Sequence, residues 1–132
     1  MKTGSCLCGK VTLSFERFER PLRSCHCIQC RKQTGTYVTA GHVLDSALTV
    51  TGDADITWYR ASEFASRGFC QQCGSLLFWK KDDSDYTSVM AGCVNGDTDV
   101  PVVAHIFVDE KGDYYELNDD VPVYSGTVGE SQ

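Results

Sequence analysis

The sequence predicts an all-β protein in which helix is confined to one or two short turns. Two observations support this fold class. Short segments in which apolar and polar residues alternate, such as 11–15 and 56–60, are typical of half-buried strands. Turn signals rich in Gly and Asp, such as 52–53 and 109–113, follow one another at close intervals, as they do in all-β chains.

The predicted elements follow one another without a long helix. Strands are expected at residues 11–15, 37–43, 48–51, 56–60, 76–80, 86–94, 104–108 and 121–124. Residues 31–34, closed by Gly35, predict one helical turn with glycine at its C-terminus. The polar stretch 16–21 predicts a connection, and residues 126–132 predict a frayed tail. Because no repeat, linker or low-complexity stretch interrupts the chain, residues 1–132 are expected to form a single domain.

Composition and charge exclude several classes of function. The 132 residues are 42% hydrophobic and 23% charged, which is typical of a soluble globular protein. The formal net charge of -6 argues against binding to nucleic acid or to an anionic membrane surface, because both need clustered Lys and Arg. No apolar run approaches the roughly 18 residues of a membrane span. The N-terminus carries no recognisable secretory signal, so we expect a cytoplasmic protein whose cysteines stay reduced or bind metal.

The eight cysteines fall into three spaced motifs and one single residue. The motifs are C-x-C at Cys6 and Cys8, C-x-C-x-x-C at Cys25, Cys27 and Cys30, and C-x-x-C at Cys70 and Cys73, with Cys93 alone. Burial as small hydrophobic residues explains one cysteine easily, but it does not explain three spaced motifs. The cysteine content, eight of 132 residues, is also below the roughly 8–10% of short secreted disulfide scaffolds. The motifs therefore predict binding of Zn²⁺, which thiolates at such spacings commonly hold.

The motifs predict two kinds of zinc site. Two cysteine pairs that lie far apart in sequence, 6/8 and 70/73, make a closed site of four thiolates, which is the structural type. The segment 25–30 supplies three thiolates by itself and leaves one position for water or substrate, which is the catalytic type. From the residues alone, the three-cysteine site is either catalytic or a second structural site.

The remaining candidate residues have ordinary interpretations. His26 lies between two predicted ligands in an extended segment, so its ring points away from both, and a supporting or packing role is expected. His42 and His105 are expected in or beside the core, although any of the three histidines can shuttle a proton. Cys93 is expected to be a buried hydrophobic residue and not a fourth ligand.

Three stretches of the chain resemble one enzyme family. They are G-S-C-L-C-G-K-V from residue 4, C-H-C-I-Q-C-R-K-Q-T-G from residue 25 and R-G-F-C-Q-Q-C-G-S-L-L-F from residue 67. With a looser match that continues through 101–108 and 121–122, they are similar to the glutathione-dependent formaldehyde-activating enzyme (GFA) family over most of the chain. The resemblance implies a β-tent of small antiparallel sheets pinned by zinc.

The resemblance also implies which residues bind metal. It implies two zinc ions per chain, with partial occupancy of the second left open. The structural ion is expected on Cys6, Cys8, Cys70 and Cys73, and the second, catalytic ion on Cys25, Cys27 and Cys30.

Two hypotheses of function follow from the motifs and the resemblance. The first is a carbon–sulfur lyase that forms or cleaves S-hydroxymethylglutathione, the adduct of formaldehyde with glutathione, or a similar thiol–aldehyde adduct. Its partner is a small-molecule thiol such as glutathione. The alternative is a non-catalytic zinc-binding module that binds a partner protein or a small thiol. The sequence does not predict the oligomeric state.

Overall fold

The computed structural model describes residues 1–129, and most of its regular structure is β-strand. In chain order the strands are β1 (Lys2–Ser5), β2 (Thr12–Phe15), β3 (Leu22–Cys25), β4 (Val38–Leu44), β5 (Thr49–Thr51), β6 (Ile56–Arg60), β7 (Ala65–Cys70), β8 (Leu76–Lys81), β9 (Tyr86–Met90), β10 (Val94–Asn95) and β11 (Val102–Ile106). One α-helix, α1 (Ile28–Thr34), and four short 3-10 turns complete the regular structure of the described residues. The predicted all-β class with very little helix is confirmed.

Helix α1 starts earlier than the predicted turn at 31–34. Cys27 precedes it in an extended conformation, and the Cys27 Sγ accepts a hydrogen bond from the backbone N–H of Cys30 at 3.4 Å. This cap satisfies one of the N–H groups that a helix start leaves without a partner, so the helix begins at Ile28. The helix is capped at its end by Gly35, as predicted, with a φ of 93° that favours glycine. Along residues 1–129, no helix is long and apolar enough to cross a membrane.

The chain separates into two compact units. The first contains Met1–Arg20 and Gly41–Asp99, and the second contains Pro21–Ala40 and the chain from Val100 onward. Strand β4 therefore contributes residues 41–44 to the first unit and residues 38–40 to the second. The single domain over 1–132 stays a prediction.

Two groups of strands form the first unit. In one sheet the strand order is β10–β1–β2–β5, and its pairings are antiparallel. The alternation predicted for 11–15 is present in β2, where Leu13 and Phe15 are buried while Thr12 and Ser14 are more exposed. In the other group, residues 41–44 are followed across the sheet by β9, β8, β7 and β6.

Large apolar side chains form the core of the first unit. Those that are at most 5% exposed include Val11, Leu13, Phe15, Phe18, Val43, Leu77, Phe78 and Val89. Phe15 and Phe18 meet edge to face with their ring centroids 5.0 Å apart, a favoured arrangement of two aromatic rings. This core anchors the strands that carry the cysteine turns of this unit.

The sequence does not predict strand β7, because its residues do not alternate in hydrophobicity. Within β7, Gly68 lies opposite Trp58 of β6, and a Cβ on this glycine would meet the indole ring at 3.0 Å. Glycine is therefore required for the close approach of the two strands. Strand β7 is important for the site, because it ends at Cys70.

The second unit is built around strand β3. It pairs with residues 38–40 of β4 in antiparallel fashion and with β11 in parallel. This parallel pair is an addition to the antiparallel pairings that the resemblance implies. Strands β3 and β11 lie far apart in sequence, so no hairpin turn determines their relative direction.

The segment predicted as a last strand, 121–124, is mostly irregular. Val123 forms a single parallel bridge with His105 of β11, and the backbone N–H of Tyr124 donates to the carbonyl of His105 at 2.9 Å. The segment therefore covers the outer edge of β11 without extending into a regular strand.

The predicted frayed tail at 126–132 begins with an ordered residue. Gly126 is buried, and its carbonyl accepts a hydrogen bond from the backbone N–H of Phe107 at 2.9 Å. Residues 130–132 lie outside the described residues.

Candidate metal centres

Four cysteines converge in the first unit. Cys6 and Cys8 lie in the turn after β1, Cys70 is the last residue of β7, and Cys73 lies in the turn that follows. Their Sγ atoms all lie within 4.8 Å of one another, with 3.6 Å between Cys6 and Cys8 and 3.8 Å between Cys8 and Cys70. A tetrahedral zinc ion with Zn–S bonds of about 2.3 Å needs sulfur atoms about 3.8 Å apart. The four-cysteine group therefore fits one such ion.

The two cysteine turns of this group share a backbone design. Gly9 and Gly74 follow the two motifs with φ values of 82° and 81°, a conformation that glycine adopts without strain. The backbone N–H of Val11 donates to the Cys6 Sγ at 3.3 Å. Such N–H donors stabilise a thiolate, as metal binding requires.

Ser75 connects the two turns. Its Oγ accepts a hydrogen bond from the backbone N–H of Leu7 at 3.0 Å, and it lies 3.2 Å from the Sγ of Cys73. Hydrogen bonds from the Ser75 hydroxyl and the Ser75 backbone lower the pKa of Cys73 to about 5. For Cys8, the backbone N–H of Lys10 favours the thiolate, but burial and the neighbouring thiols outweigh it and raise the pKa to about 11. The close thiols therefore cannot all ionise easily without a cation between them.

Three further cysteines converge in the second unit. Cys25 is the last residue of β3, Cys27 caps helix α1, and Cys30 lies in the first turn of that helix. Their Sγ atoms lie within 4.8 Å of one another, with 3.4 Å between Cys27 and Cys30. In the described part of the chain, no fourth His, Cys, Asp or Glu ligand atom joins this group.

The electrostatics of the three-cysteine group favour a bound cation. Hydrogen bonds with Cys27 and Cys30 raise the pKa of Cys25, and burial and the charges of these two thiols raise it further. A divalent cation reverses this effect and deprotonates thiols that coordinate it. The backbone N–H of Ile28, next to this group, donates to the Glu110 carboxylate at 3.0 Å.

Both predicted groups are therefore assembled from the cysteines named in the sequence analysis, and each of them can hold a metal ion. Within residues 1–129, which include all eight cysteines, no disulfide is formed. The assignment of these residues to a structural and a catalytic zinc ion stays a prediction.

His26 is fully buried and connects to His105 and to two residues that the sequence did not single out, Tyr115 and Asp119. Its Nδ1 lies 2.7 Å from the Tyr115 hydroxyl, and its Nε2 lies 2.9 Å from Nδ1 of His105. The Nε2 of His105 donates to the Asp119 carboxylate at 3.0 Å. Burial lowers the pKa of His26 to about 4, with smaller contributions from the neighbouring His105 and Lys111. At neutral pH His26 is therefore uncharged.

A surface pocket of about 250 Å³ lies beside these histidines. Its lining includes Tyr37, His105, Tyr115 and Asp119. The ring of Tyr37 packs against His26 with 4.5 Å between centroids, and it is therefore shared by the pocket and the cysteine-bearing segment. The hydrogen bond from His105 lowers the pKa of Asp119, whereas burial raises the pKa of Tyr115. The pocket thus presents the carboxylate of Asp119 and the neutral hydroxyl of Tyr115.

The other two residues discussed from the sequence lie outside the cysteine groups. Cys93 is buried, and its thiol donates to the carbonyl of Leu76 at 3.6 Å. His42 stacks on Tyr86 at 3.8 Å between ring centroids, and its Nε2 accepts a hydrogen bond from Arg20 at 2.8 Å. Both residues serve the packing of the first unit.

The chain is similar to known proteins in sequence and in fold. A family model described as "Glutathione-dependent formaldehyde-activating enzyme" matches residues 1–110. A Schizosaccharomyces pombe protein named as an uncharacterized lyase is 27% identical over 115 residues, which cover 86% of this chain and 83% of that protein. The crystal structure of a Rhodobacter sphaeroides protein, a structural genomics target, matches with a TM-score of 0.63 at 24% identity and covers 76% of this chain and 98% of that one. At this identity the structural likeness shows the fold alone.

Proposed function

Because the chain belongs to the glutathione-dependent formaldehyde-activating enzyme family, we propose that it is a zinc-dependent carbon–sulfur lyase. The reaction forms or cleaves S-hydroxymethylglutathione or a similar adduct of a thiol with an aldehyde. In the forming direction, the thiol sulfur bonds to the carbonyl carbon and the π electron pair of the C=O bond moves to oxygen. The proton lost by the thiol is balanced by the proton that this oxygen gains. The S. pombe relative, which is named a lyase, supports the reaction class.

One observation carries the proposal. The thiols of Cys25, Cys27 and Cys30 converge within 4.8 Å, and this group has three donors where a tetrahedral ion takes four ligands. The donor set fits a catalytic zinc ion, whereas the four thiols of the other group fit a structural one. When bound to the three-cysteine group, zinc supplies a lowered thiol pKa and polarisation of a carbonyl oxygen.

Backbone pairing and a hydrogen bond fix the positions of the thiols of Cys25 and Cys27 before an ion binds. Pairing of β3 with both its neighbours fixes the backbone of Cys25 opposite Val38 and Ile106. The N–H of Cys30 stabilises the Cys27 sulfur across the start of the helix. Cys30 is buried, whereas Cys25 and Cys27 are half-buried, so a substrate approaches from the side of these two residues.

The pocket beside the histidines is the proposed place for the remainder of the substrate. The hydroxyl of Tyr115 and the carboxylate of Asp119 offer hydrogen bonds to the polar groups of a peptide-like thiol such as glutathione. We also propose that the protein is cytoplasmic, because thiolate ligands and a thiol substrate both persist in a reducing compartment.

The test is a rate measurement with purified, zinc-loaded protein. Mixed with glutathione and formaldehyde, it is expected to accelerate formation and breakdown of the adduct above the spontaneous rate, as followed by NMR exchange spectroscopy. Cys27→Ser is expected to abolish the acceleration. Cys93→Ala, which changes a cysteine outside both groups, is expected to retain it. A wild-type protein that carries zinc at both groups but gives only the spontaneous rate would reject the lyase and favour the non-catalytic zinc-binding module.

A further inference from the structure

Four polar side chains of the second unit form one continuous series of hydrogen bonds, Tyr115–His26–His105–Asp119, which we name the histidine chain. The three donor–acceptor distances are 2.7, 2.9 and 3.0 Å. Both imidazoles are buried, at 0% and 3% exposure. The two outer members, Tyr115 and Asp119, line the surface pocket.

The partners determine where each ring carries its hydrogen when both imidazoles are neutral. The carboxylate of Asp119 accepts only, so Nε2 of His105 carries the hydrogen and its Nδ1 does not. That Nδ1 therefore accepts from the Nε2–H of His26. Nδ1 of His26 then accepts from the hydroxyl of Tyr115. The tautomers of both histidines thus follow from the carboxylate of Asp119, the last member of the histidine chain.

The inner histidine is part of the segment that carries the cysteines. His26 lies between Cys25 and Cys27, and its backbone N–H donates to the carbonyl of Ile106 at 2.9 Å. A buried ring nitrogen without a hydrogen-bond partner is unfavourable, so each member of the chain holds the next in one orientation. A ring held in this way restricts the backbone on both sides of it.

We propose that Asp119 and His105 are positioning residues for the three-cysteine group. They act through His26, whose fixed ring holds Cys25 and Cys27 at the separation that one metal ion requires. The inference rests on the proposed function only in that the three-cysteine group binds an ion. The side chain of Asp119 is 55% exposed, so a carboxylate at the surface holds the two buried imidazoles of the histidine chain in place.

Positioning and proton transfer make different demands on residue 105. The amide of a glutamine can accept from His26 with its oxygen and donate to Asp119 with its nitrogen, but it does not carry protons as imidazole does. His105→Gln therefore keeps a positioning role, whereas His105→Leu removes it.

The first test reads the tautomers in the unmodified, zinc-loaded protein. Nitrogen-15 NMR of the histidine side chains is expected to show hydrogen on Nε2 of both His26 and His105. His42 provides an internal contrast, because its Nε2 accepts from Arg20 and its hydrogen is expected on Nδ1. A ring of His26 or of His105 that carries its hydrogen on Nδ1 and not on Nε2 would overturn the inference.

The second test measures zinc affinity by competition with a chelator. The binding phase that Cys27→Ser abolishes is assigned to the three-cysteine group. Asp119→Ala is expected to weaken binding in this phase by roughly tenfold, the lower end for residues that support metal ligands. Asp113→Ala, which removes an equal charge from an exposed position of the same unit, is expected to leave it unchanged. His105→Gln is expected to stay within about twofold of the wild type, and His105→Leu to resemble Asp119→Ala.

The outcomes separate this inference from the proposed function. Wild-type affinity in Asp119→Ala, in a protein that binds two zinc ions, would overturn the positioning role alone. A wild-type protein without any zinc in the three-cysteine phase would overturn the proposed function, and the positioning role with it. Because Asp119 is exposed, its alanine variant tests the inference even where His105→Leu does not fold.

Discussion

The Sγ atoms of Cys8 and Cys70 lie 3.8 Å apart, although 62 positions separate the two residues in the chain. This separation is the one expected for two ligands of a single tetrahedral zinc ion, and it is far longer than the roughly 2.05 Å of a disulfide. Closing so long a loop costs chain entropy, and a shared ion offsets that cost. Metal binding is therefore expected to be coupled to the folding of the first unit.

Removal of zinc is expected to destabilise the protein strongly. Because loss of a shared ion would leave the entropy cost of loop closure without compensation, the unfolding midpoint should fall by about 10 °C, which corresponds to roughly 3 kcal/mol for a chain of this length. Circular dichroism during heating, with and without excess chelator, measures the change. The same chelator saturated with zinc is the control. An unchanged midpoint in protein shown to be free of metal would contradict the prediction.

The core of the first unit allows a matched pair of leucine variants. Leu77 is 0% exposed, so Leu77→Ala is expected to lower the free energy of unfolding by about 2–5 kcal/mol through lost burial and a new cavity. Leu7 is 87% exposed, so Leu7→Ala is expected to change it by less than about 0.5 kcal/mol. Denaturant unfolding at saturating zinc measures both. Equal losses in the two variants would show that the assigned core is wrong.

The turn after β7 depends on a glycine with left-handed backbone. Gly74 has a φ of 81°, and a Cβ there meets nothing within 4 Å, so Gly74→Ala tests the backbone strain alone. We expect it to lower the free energy of unfolding by about 1–2 kcal/mol. Gly92, which also has open space but no positive φ, is the control, and Gly92→Ala should be neutral or slightly stabilising. A neutral Gly74→Ala would argue against the described turn.

Alkylation of Cys93 is expected to depend steeply on pH. Burial, with a smaller contribution from Cys6, raises the pKa of the Cys93 thiol to about 11. A raised thiol pKa means less thiolate, so at pH 8 only about one Cys93 thiol in a thousand is ionised, and the rate should rise about tenfold for each pH unit up to 10. Mass spectrometry of zinc-loaded protein treated with iodoacetamide gives the rate. Urea-unfolded protein should react fast at pH 8, and a native rate that levels off below pH 9 would refute the raised pKa.

The sequence predicted the parts of the fold that local patterns encode. Strand β2 lies within the strand predicted at 11–15, and its side chains alternate in burial as expected. The strand predicted at 56–60 is β6, although four of its five residues are exposed. Gly35 ends helix α1 as predicted, because glycine adopts the backbone that this cap needs. The cysteine groups were predicted from spacing, which reflects the short reach of ligands around one ion.

Features that depend on contacts between distant parts of the sequence could not be predicted from local patterns. No local pattern shows that β11 pairs with β3 in parallel, because the direction of a strand that arrives from the far end of the chain is set by packing. The partners of His26 were missed for a similar reason. Tyr115 and Asp119 lie in an irregular segment whose sequence has no motif, and only the fold brings them to the histidines.

The most direct test of the account is the number of zinc ions per folded chain. Elemental analysis of protein purified without chelator is expected to give two ions for the wild type and two for Cys93→Ser. It is expected to give one for Cys27→Ser, because that change removes a ligand of the three-cysteine group only. A folded wild-type protein that is free of zinc, or a Cys27→Ser protein that still holds two ions, would contradict the account.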